Sequence, residues 1–306
     1  MEWRLSSLLV PFSTLLKHAL STTLIVSRSS VSLSYKVLGD SEMDVDEKAP
    51  PLFLFHGLLG NKRHWESMGK TLLHMTKRSV VVVDLRNHGD SPHNSSHRYD
   101  ELAEDVIRLL KRLSVNRACL LGHSMGGRTC MCVSLLAPEK VAALLVVDIS
   151  TASSPPFLTQ YIPKVLNAMK TVEFNHPKTV RNAKDDAKKQ LKEAVTDDMI
   201  MRAVLSNINI KPDKTIGWTC NLDALIKNFE HIASFPKEMK GKRYKGPTLF
   251  VGGQLSDFIP PDDLTKIRNF FPQAVVHYIP KTGHNPHVED PETFLEYVLA
   301  FFKNVK

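Results

Sequence analysis

Short, continuous runs of hydrophobic residues recur along the chain from residue 52 onward. Each run is four or five residues long and rich in Val, Leu, Ile and Phe. This pattern is typical of strands that are buried on both faces of a sheet. We therefore predict strands at Leu52–Phe55, Val80–Val83, Ala118–Leu121, Leu144–Val147, Thr248–Val251 and Val275–Ile279.

Amphipathic stretches separate these runs. In Tyr99–Leu113 the apolar residues at positions 102, 106, 109, 110 and 113 fall on one side of a helix. Strands that alternate with helices favour a sheet that is mostly parallel, with helices on both faces. The predicted fold class is therefore α/β.

The alternation stops between Ser150 and about Phe235. This segment opens with a Ser/Pro-rich stretch at 153–156 and then continues with helical patterns only. An insertion between two strands of such a sheet would lie over the strand ends, where ligands bind. We therefore predict a helical cap at 151–235, inserted into an α/β core formed by 31–150 and 236–306.

The first 30 residues have a different composition. They carry Arg4, Lys17 and Arg28 but a single acid, Glu2, and leucines recur at spacings of three and four. Such a basic, acid-poor amphipathic segment is typical of a mitochondrial transit peptide. We therefore predict a targeting segment at 1–30 and a mitochondrial matrix location, with a secretory signal, a membrane-surface helix or a cytosolic protein as the alternatives.

Charge and cysteine content narrow the function classes further. The net charge of +8 is spread along the whole chain. Its densest basic stretch, Lys178–Lys192, also holds Asp185 and Asp186 at helical spacing, which indicates a solvated helix face and no nucleic-acid partner. The four cysteines form no C-x-x-C pair, so we expect buried free thiols rather than disulfides or zinc ligands.

A G-x-S-x-G motif, Gly122 to Gly126, follows one predicted strand and precedes a helical pattern. In this context the serine lies on a tight strand-to-helix turn that needs small neighbours. The helix that follows directs its first N–H groups towards developing negative charge. Ser124 is therefore the predicted nucleophile.

A serine nucleophile needs a base, and His284 is the best candidate among 13 histidines. It follows the last predicted strand, and the carboxyl ends of parallel strands meet in one crevice. We expect its neighbour His287 to be a surface or supporting residue. His56 and His123, which flank glycines in the same crevice, are expected to pack and to make hydrogen bonds with the backbone.

The loop Phe55–Gly60, with the sequence F-H-G-L-L-G, follows the first predicted strand. In serine hydrolases an oxyanion hole combines an N–H from such a loop with the N–H of the residue after the nucleophile. We assign these two donors to Leu58 and Met125.

Three motifs together resemble the α/β-hydrolase superfamily: G-H-S-M-G-G at 122–127, H-G-L-L-G at 56–60 and D-L-R-N-H-G-D-S-P at 84–92. The resemblance runs from about Ser32 to the C-terminus. Asn87 and His88, where glycine commonly follows the arginine, make it closest to a mitochondrial branch and to small bacterial esterases. We expect Asp84 to anchor its loop rather than to act in catalysis.

Three carboxylates compete as the third member of a catalytic triad. Asp148 ends a strand beside the crevice, and the bacterial esterases that the chain resembles use an acid here, with a serine at the place of Ser256. Asp223 matches a segment of the mitochondrial branch for which an acid role has been proposed. Asp257 lies near the superfamily's usual site, but the stretch G-Q-L-S-D-F-I-P puts Ser256 at the usual offset. Strand-end geometry favours Asp148 and leaves the other two as alternatives.

These residues predict a serine hydrolase that cleaves carboxylic esters through an acyl-enzyme on Ser124. No metal or cofactor motif is present in the sequence, and we expect neither group. The resemblance implies lipid or acylglycerol esters, such as diacylglycerol, and association with mitochondrial 2-oxoacid dehydrogenase complexes. The alternatives are non-hydrolytic chemistry on the same fold and an interaction protein with a vestigial triad. Apolar cap residues offered for an acyl pocket are Phe157, Met169, Phe174, Trp218, Phe229 and Phe235.

Overall fold

A computed structural model describes residues 30–39, 45–175, 177–303 and 305. The predicted targeting segment, apart from Ser30, lies outside the described residues. Seven strands form the main sheet. They are β1 (Tyr35–Leu38), β2 (Leu52–Phe55), β3 (Val80–Val83), β4 (Ala118–His123), β5 (Val141–Val147), β8 (Thr248–Gly253) and β9 (Ala274–Ile279).

The strand order in this sheet is β1-β3-β2-β4-β5-β8-β9. All neighbours pair in parallel except β1, which runs antiparallel to β3 at one edge. The chain adds β3 on one side of β2 and then returns to add β4 on the other side. The loops that follow β2 and β4 therefore face each other at a switch point of the sheet, which is where open α/β sheets bind ligands.

Within the described residues the helices connect these strands, and two of them close the chain. None of the helices there is long and apolar enough to span a membrane. The helices are α1 (Glu66–Thr76), α2 (Tyr99–Arg112), α3 (Met125–Leu136), α4 (Ile162–Lys170), α5 (Val180–Leu191), α6 (Asp198–Ser206), α7 (Leu222–Lys227), α8 (Phe229–Ala233), α9 (Asp263–Phe270), α10 (Pro286–Glu289) and α11 (Pro291–Phe302).

The central strands have an apolar side chain at almost every position because both faces of the sheet are covered. On one face, Leu54 and Leu121 pack with residues of α1 and α11. On the other face, Phe53 and Leu120 pack with α2, α3 and α9. Successive side chains of a strand point to opposite faces, so a strand covered on both sides is a continuous hydrophobic run.

The insertion at 151–235 differs from its prediction in one respect. Besides helices α4 to α8 it contains a two-stranded antiparallel sheet, formed by β6 (Ile208–Ile210) and β7 (Ile216–Trp218). The prediction of helical structure alone was therefore wrong for these residues. Each strand has three residues and pairs across a short turn, which is too short for a period-two pattern to emerge from the sequence.

The two connections between this insertion and the core meet at Arg128 of α3. Its buried guanidinium donates hydrogen bonds to the carbonyl of Ser153, at 2.7 Å, and to that of Ile232, at 3.1 Å. The hydroxyl of Ser154 donates to the carbonyl of Ala233 at 2.7 Å. The segment thus leaves the core and returns to it at the same place.

Candidate active site

Ser124 lies between β4 and α3 in a strained conformation. Its φ of 51° and ψ of −116° belong to a region that a non-glycine residue rarely adopts. Such a residue costs on the order of 1–3 kcal/mol and persists only where its surroundings hold it. A Cβ at Gly122 would lie 2.3 Å from the carbonyl oxygen of Gly126, so the turn closes only when position 122 has no side chain.

His284 follows β9 and contacts Asp148, which follows β5. Its Nδ1 lies 2.8 Å from Oδ2 of Asp148. The Asp148 side chain is fully buried, so a carboxylate there depends on its hydrogen bonds. It accepts one from the N–H of Gly253 at 2.9 Å and one from the hydroxyl of Ser256 at 2.5 Å. With Nδ1–H donating to Asp148, Nε2 of His284 is left free to accept a proton.

Of the three candidate acids, the structure brings Asp148 into contact with His284. Asp223 is exposed in the first turn of α7 and forms an ion pair with Lys170 at 2.8 Å. Asp257 is exposed in the loop after β8, where its carbonyl accepts a hydrogen bond from the hydroxyl of Ser153. Within the described residues, neither carboxylate bonds to the imidazole.

Of the two predicted oxyanion donors, Leu58 lines the same cavity as Ser124, and Met125 follows Ser124 in the chain. Leu58 is in the turn after β2, which Gly60 closes by donating its N–H to the carbonyl of Gly57 at 3.0 Å. Met125 is the first residue of α3. Across the described part of the chain, neither N–H donates to a protein group. Both remain available for a bound oxygen, and Met125 adds the positive end of the helix dipole.

Ser124, His284 and Leu58 line one cavity of about 300 Å³, which the core and the insertion enclose together. From the insertion, residues before and within α4 and residues of α6 contribute mainly apolar surface. They are Phe157, Leu158, Ile162, Met199, Ile200, Arg202 and Ala203.

Of the apolar cap residues offered for a pocket, Phe157 lines the cavity. Met169 is wholly buried in the core, Phe174 packs against Trp218, and Phe235 packs against Phe270. Aromatic residues at helical spacing are thus mostly packing residues here.

Buried histidines surround the site, and the hydrogen bonds of His56 indicate its neutral form. His56 accepts from the N–H of Leu85 through Nε2 and contacts the carbonyl of Gly57 through Nδ1. His123 contacts the carbonyl of His284 through Nε2, at 2.9 Å. Burial lowers the pKa of both well below the usual value for histidine. They support the loops through uncharged contacts, as expected.

Of the two places predicted for His287, the surface one is wrong, whereas its ring contacts with Trp65 and His123 fit a supporting residue. It is buried, lines the cavity and stacks on Trp65 with a ring-centroid distance of 4.6 Å. Burial lowers its pKa to about 3. Within the described residues its Nδ1 has no hydrogen-bond partner.

The D-L-R-N-H-G-D-S-P segment at 84–92 holds this end of the sheet together. Asp84 is fully buried and accepts hydrogen bonds from the backbone N–H of Lys62 at 2.6 Å and of Asp90 at 2.9 Å, so it is a loop anchor. Asn87, with a φ of 66°, joins the loop to the insertion: its carbonyl accepts the N–H of Asn221 at 2.9 Å. Among the described residues, no group of three or more His, Cys, Asp or Glu side chains could hold a metal ion.

The α/β-hydrolase fold family has a model that matches residues 50–291, and this chain belongs to that family. Its fold, its family and the relatives that follow identify the chain as a serine ester hydrolase. The sn-1-specific diacylglycerol lipase ABHD11 of Mus musculus is 34% identical over 308 residues, which cover 98% of this chain and 97% of the mouse protein. Its counterpart of the same name from Danio rerio is 34% identical over 90% of this chain and 84% of its own length. Among solved structures, a marine microorganism esterase superposes with a TM-score of 0.79 at 30% sequence identity. The match covers 89% of this chain and 100% of the esterase.

Proposed function

We propose that this chain hydrolyses lipid esters of the acylglycerol class through an acyl-enzyme on Ser124. One observation carries the proposal: a strained serine and a histidine paired with a buried carboxylate line the same largely apolar cavity. In this assignment Ser124 is the nucleophile, His284 the base, Asp148 the acid, and Leu58 and Met125 supply the oxyanion donors.

In the first half of the reaction, Oγ of Ser124 attacks the ester carbonyl while Nε2 of His284 takes its proton. The carbonyl oxygen becomes an oxyanion, which the N–H groups of Leu58 and Met125 stabilise. Asp148 holds the imidazole in the required tautomer and offsets its positive charge. The proton then leaves with the alcohol as the ester bond breaks.

In the second half, water replaces the alcohol. His284 takes a proton from the water as its oxygen attacks the acyl carbon, and returns that proton to Oγ of Ser124 as the acid departs. Each half restores the proton count of the histidine, so these side chains and two backbone amides carry the whole cycle.

The apolar lining of the cavity supports a lipid ester. A volume of about 300 Å³ lies at the small end of ligand pockets, and its lining is mainly apolar. We propose that the acyl chain to be cleaved lies against Phe157 and Ile200, with the glycerol portion at the cavity mouth. Two relatives named sn-1-specific diacylglycerol lipase, each 34% identical, support the same substrate class.

We further propose that 31–150 and 236–306 act as the catalytic core and 151–235 as a cap. The shared attachment at Arg128 and the cavity surface that the insertion supplies support this division.

The expected product is fatty acid released from diacylglycerol, and labelling with a fluorophosphonate probe tests the nucleophile. Wild-type protein is expected to react with the probe and release acid, and Ser124→Ala to do neither. Ser134→Ala, at a buried serine of the same helix, is the matched control and should keep both activities.

The other outcomes separate the alternative functions. Folded wild-type protein that neither labels nor hydrolyses any ester would contradict the proposal and favour an interaction protein. Labelling of Ser124 without release of acid, but with transfer of the acyl group to another acceptor, would favour non-hydrolytic chemistry on this fold.

For location, we propose that the segment 1–30 directs the chain to the mitochondrial matrix, where it associates with 2-oxoacid dehydrogenase complexes. The basic, acid-poor composition of the segment supports the first part, and the resemblance to a mitochondrial branch supports both. Import into isolated mitochondria should require residues 1–30, and the dehydrogenase subunits should co-purify with the imported protein. A protein that stays outside without being processed would contradict the location.

A further inference from the structure

Phe258 covers one face of the His284 ring. The two ring centroids lie 3.8 Å apart and the ring planes differ by 22°, which is a close parallel stack. Phe258 is 4% exposed, so its ring has little freedom to leave this position. Phe157 of the insertion packs edge-on against it, with centroids 6.2 Å apart.

A hydrogen-bonded serine connects the backbone of Phe258 to the candidate acid. Its N–H donates to the hydroxyl of Ser256 at 3.3 Å, and that hydroxyl donates to Oδ2 of Asp148 at 2.5 Å. One serine therefore links the carboxylate at the ring edge of His284 to the phenyl group on its face. The imidazole is therefore held at its edge by Asp148 and on its face by Phe258.

We infer that Phe258 is a positioning residue that fixes the plane of the His284 imidazole and stabilises its protonated form through a cation–π contact. This inference rests on the proposed function. When Oγ of Ser124 bonds to the acyl carbon, its proton passes to Nε2 of His284, and the ring carries a positive charge until that proton leaves with the alcohol. The negative face of an aromatic ring attracts a cation within about 6 Å of its centroid, most strongly where water is excluded.

Other ionisable groups lie around the imidazole or beside the residues that contact it. The carboxylate of Glu289 accepts the N–H groups of Gly283 and Asn285, at 2.7 and 3.0 Å, on either side of His284. A test must leave all of these groups in place and change the π-face alone. They are Asp148, His123, His287, Glu289, Tyr278, His64 and Arg202.

Fluorination of the ring meets this requirement, since it withdraws electron density from the face with little change in shape. We propose replacing Phe258 by mono-, di- and trifluorophenylalanine and measuring the pH profile of kcat/KM for a soluble ester. Across the series we expect the plateau to fall stepwise by about fivefold in total. The acid limb should move stepwise to lower pH, because the protonated imidazole loses its stabilising face.

The same replacements at Phe271, a wholly buried phenylalanine that packs edge-on against Phe250, form the control and should leave the profile unchanged. As a second test, Phe258→Leu should lower the plateau and shift the acid limb as far as the trifluoro variant does. Phe258→Trp, which keeps an aromatic face, should leave the acid limb at the wild-type pH. A profile that stays the same at every fluorine count, in protein whose hydrolysis still depends on Ser124, would overturn the inference while leaving the proposed function intact. Loss of Ser124-dependent hydrolysis in the wild type would instead contradict the proposed function.

Discussion

At the scale of single residues, two side chains of the proposed triad stand on strained backbone. Ser124 and Asp148 both have positive φ, 51° and 50°, at the ends of the neighbouring strands β4 and β5. Strain of this kind persists where surrounding contacts over-determine it. For Asp148 those contacts are the hydrogen bonds to Gly253, Ser256 and His284.

A direct test at this scale compares the three candidate acids. Asp148→Asn keeps the shape but offers an amide where His284 needs an acceptor, so kcat should fall by about a thousandfold or more. Asp223→Asn and Asp257→Asn serve as controls and should stay within about twofold of wild type. Steady-state kinetics on folded variants decides, and near-normal turnover of Asp148→Asn would refute the assignment.

The sequence indicated Ser124 and His284 through local motifs but left the acid among three candidates. The reason is that contact with an imidazole depends on which loop ends meet, and Asp148, Asp223 and Asp257 all lie near strand ends or the insertion. Phe258 was not predicted at all. Nothing in the one-dimensional pattern separates a phenylalanine that stacks on a histidine from one that fills the core.

At the scale of elements, the predicted α/β fold with a mostly parallel sheet is confirmed. All six predicted strands are present. Five of them are buried at every position, which gives a continuous apolar signal, whereas β9 is an edge strand whose burial alternates. Strand β1 was missed because it is an edge strand: Lys36 and Val37 are exposed, and four residues carry little pattern. Strands β6 and β7 escaped prediction for a related reason, since they pair with each other outside the main core.

Arg128 gives a prediction at this scale. A lysine keeps the charge but lacks the planar fork that reaches the carbonyls of Ser153 and Ile232 together. Arg128→Lys should lower the free energy of unfolding by about 1–3 kcal/mol, because the carbonyl of Ser153 loses its donor and that of Ile232 keeps only the hydroxyl of Tyr99. Urea denaturation measures this. Arg108→Lys, at an exposed position of α2, is the control, and equal losses in the two variants would contradict the prediction.

At the scale of the whole molecule, the crevice end of the sheet holds a group of buried neutral histidines. Burial lowers the pKa of His88 to about 4 and that of His287 to about 3, compared with an ordinary value of 6.5. Between the lowered pKa and pH 6.5, each of these histidines is therefore protonated in the unfolded chain and neutral in the folded chain. The stability that depends on these neutral histidines is fully present above pH 6.5 and is lost as the pH falls towards 3.

Replacing one of these histidines should make the free energy of unfolding depend less steeply on pH. For His287→Gln, we expect the decrease in unfolding free energy between about pH 6 and pH 4 to be smaller by about 1.4 kcal/mol for each pH unit. Chemical denaturation over a pH series gives the slope, with His74→Gln at an exposed position as the control. An unchanged slope for His287→Gln would contradict the burial argument.

The meeting of Ser153 and Ser154 with Ile232 and Ala233 has a consequence for how proteins of this architecture diverge. Because the entry and exit of residues 155–231 are neighbours, a segment of another length could join the same two points without displacing any strand of the main sheet. Substrate range is then able to change by exchange of one contiguous piece of the gene, while the residues that break the ester stay where they are.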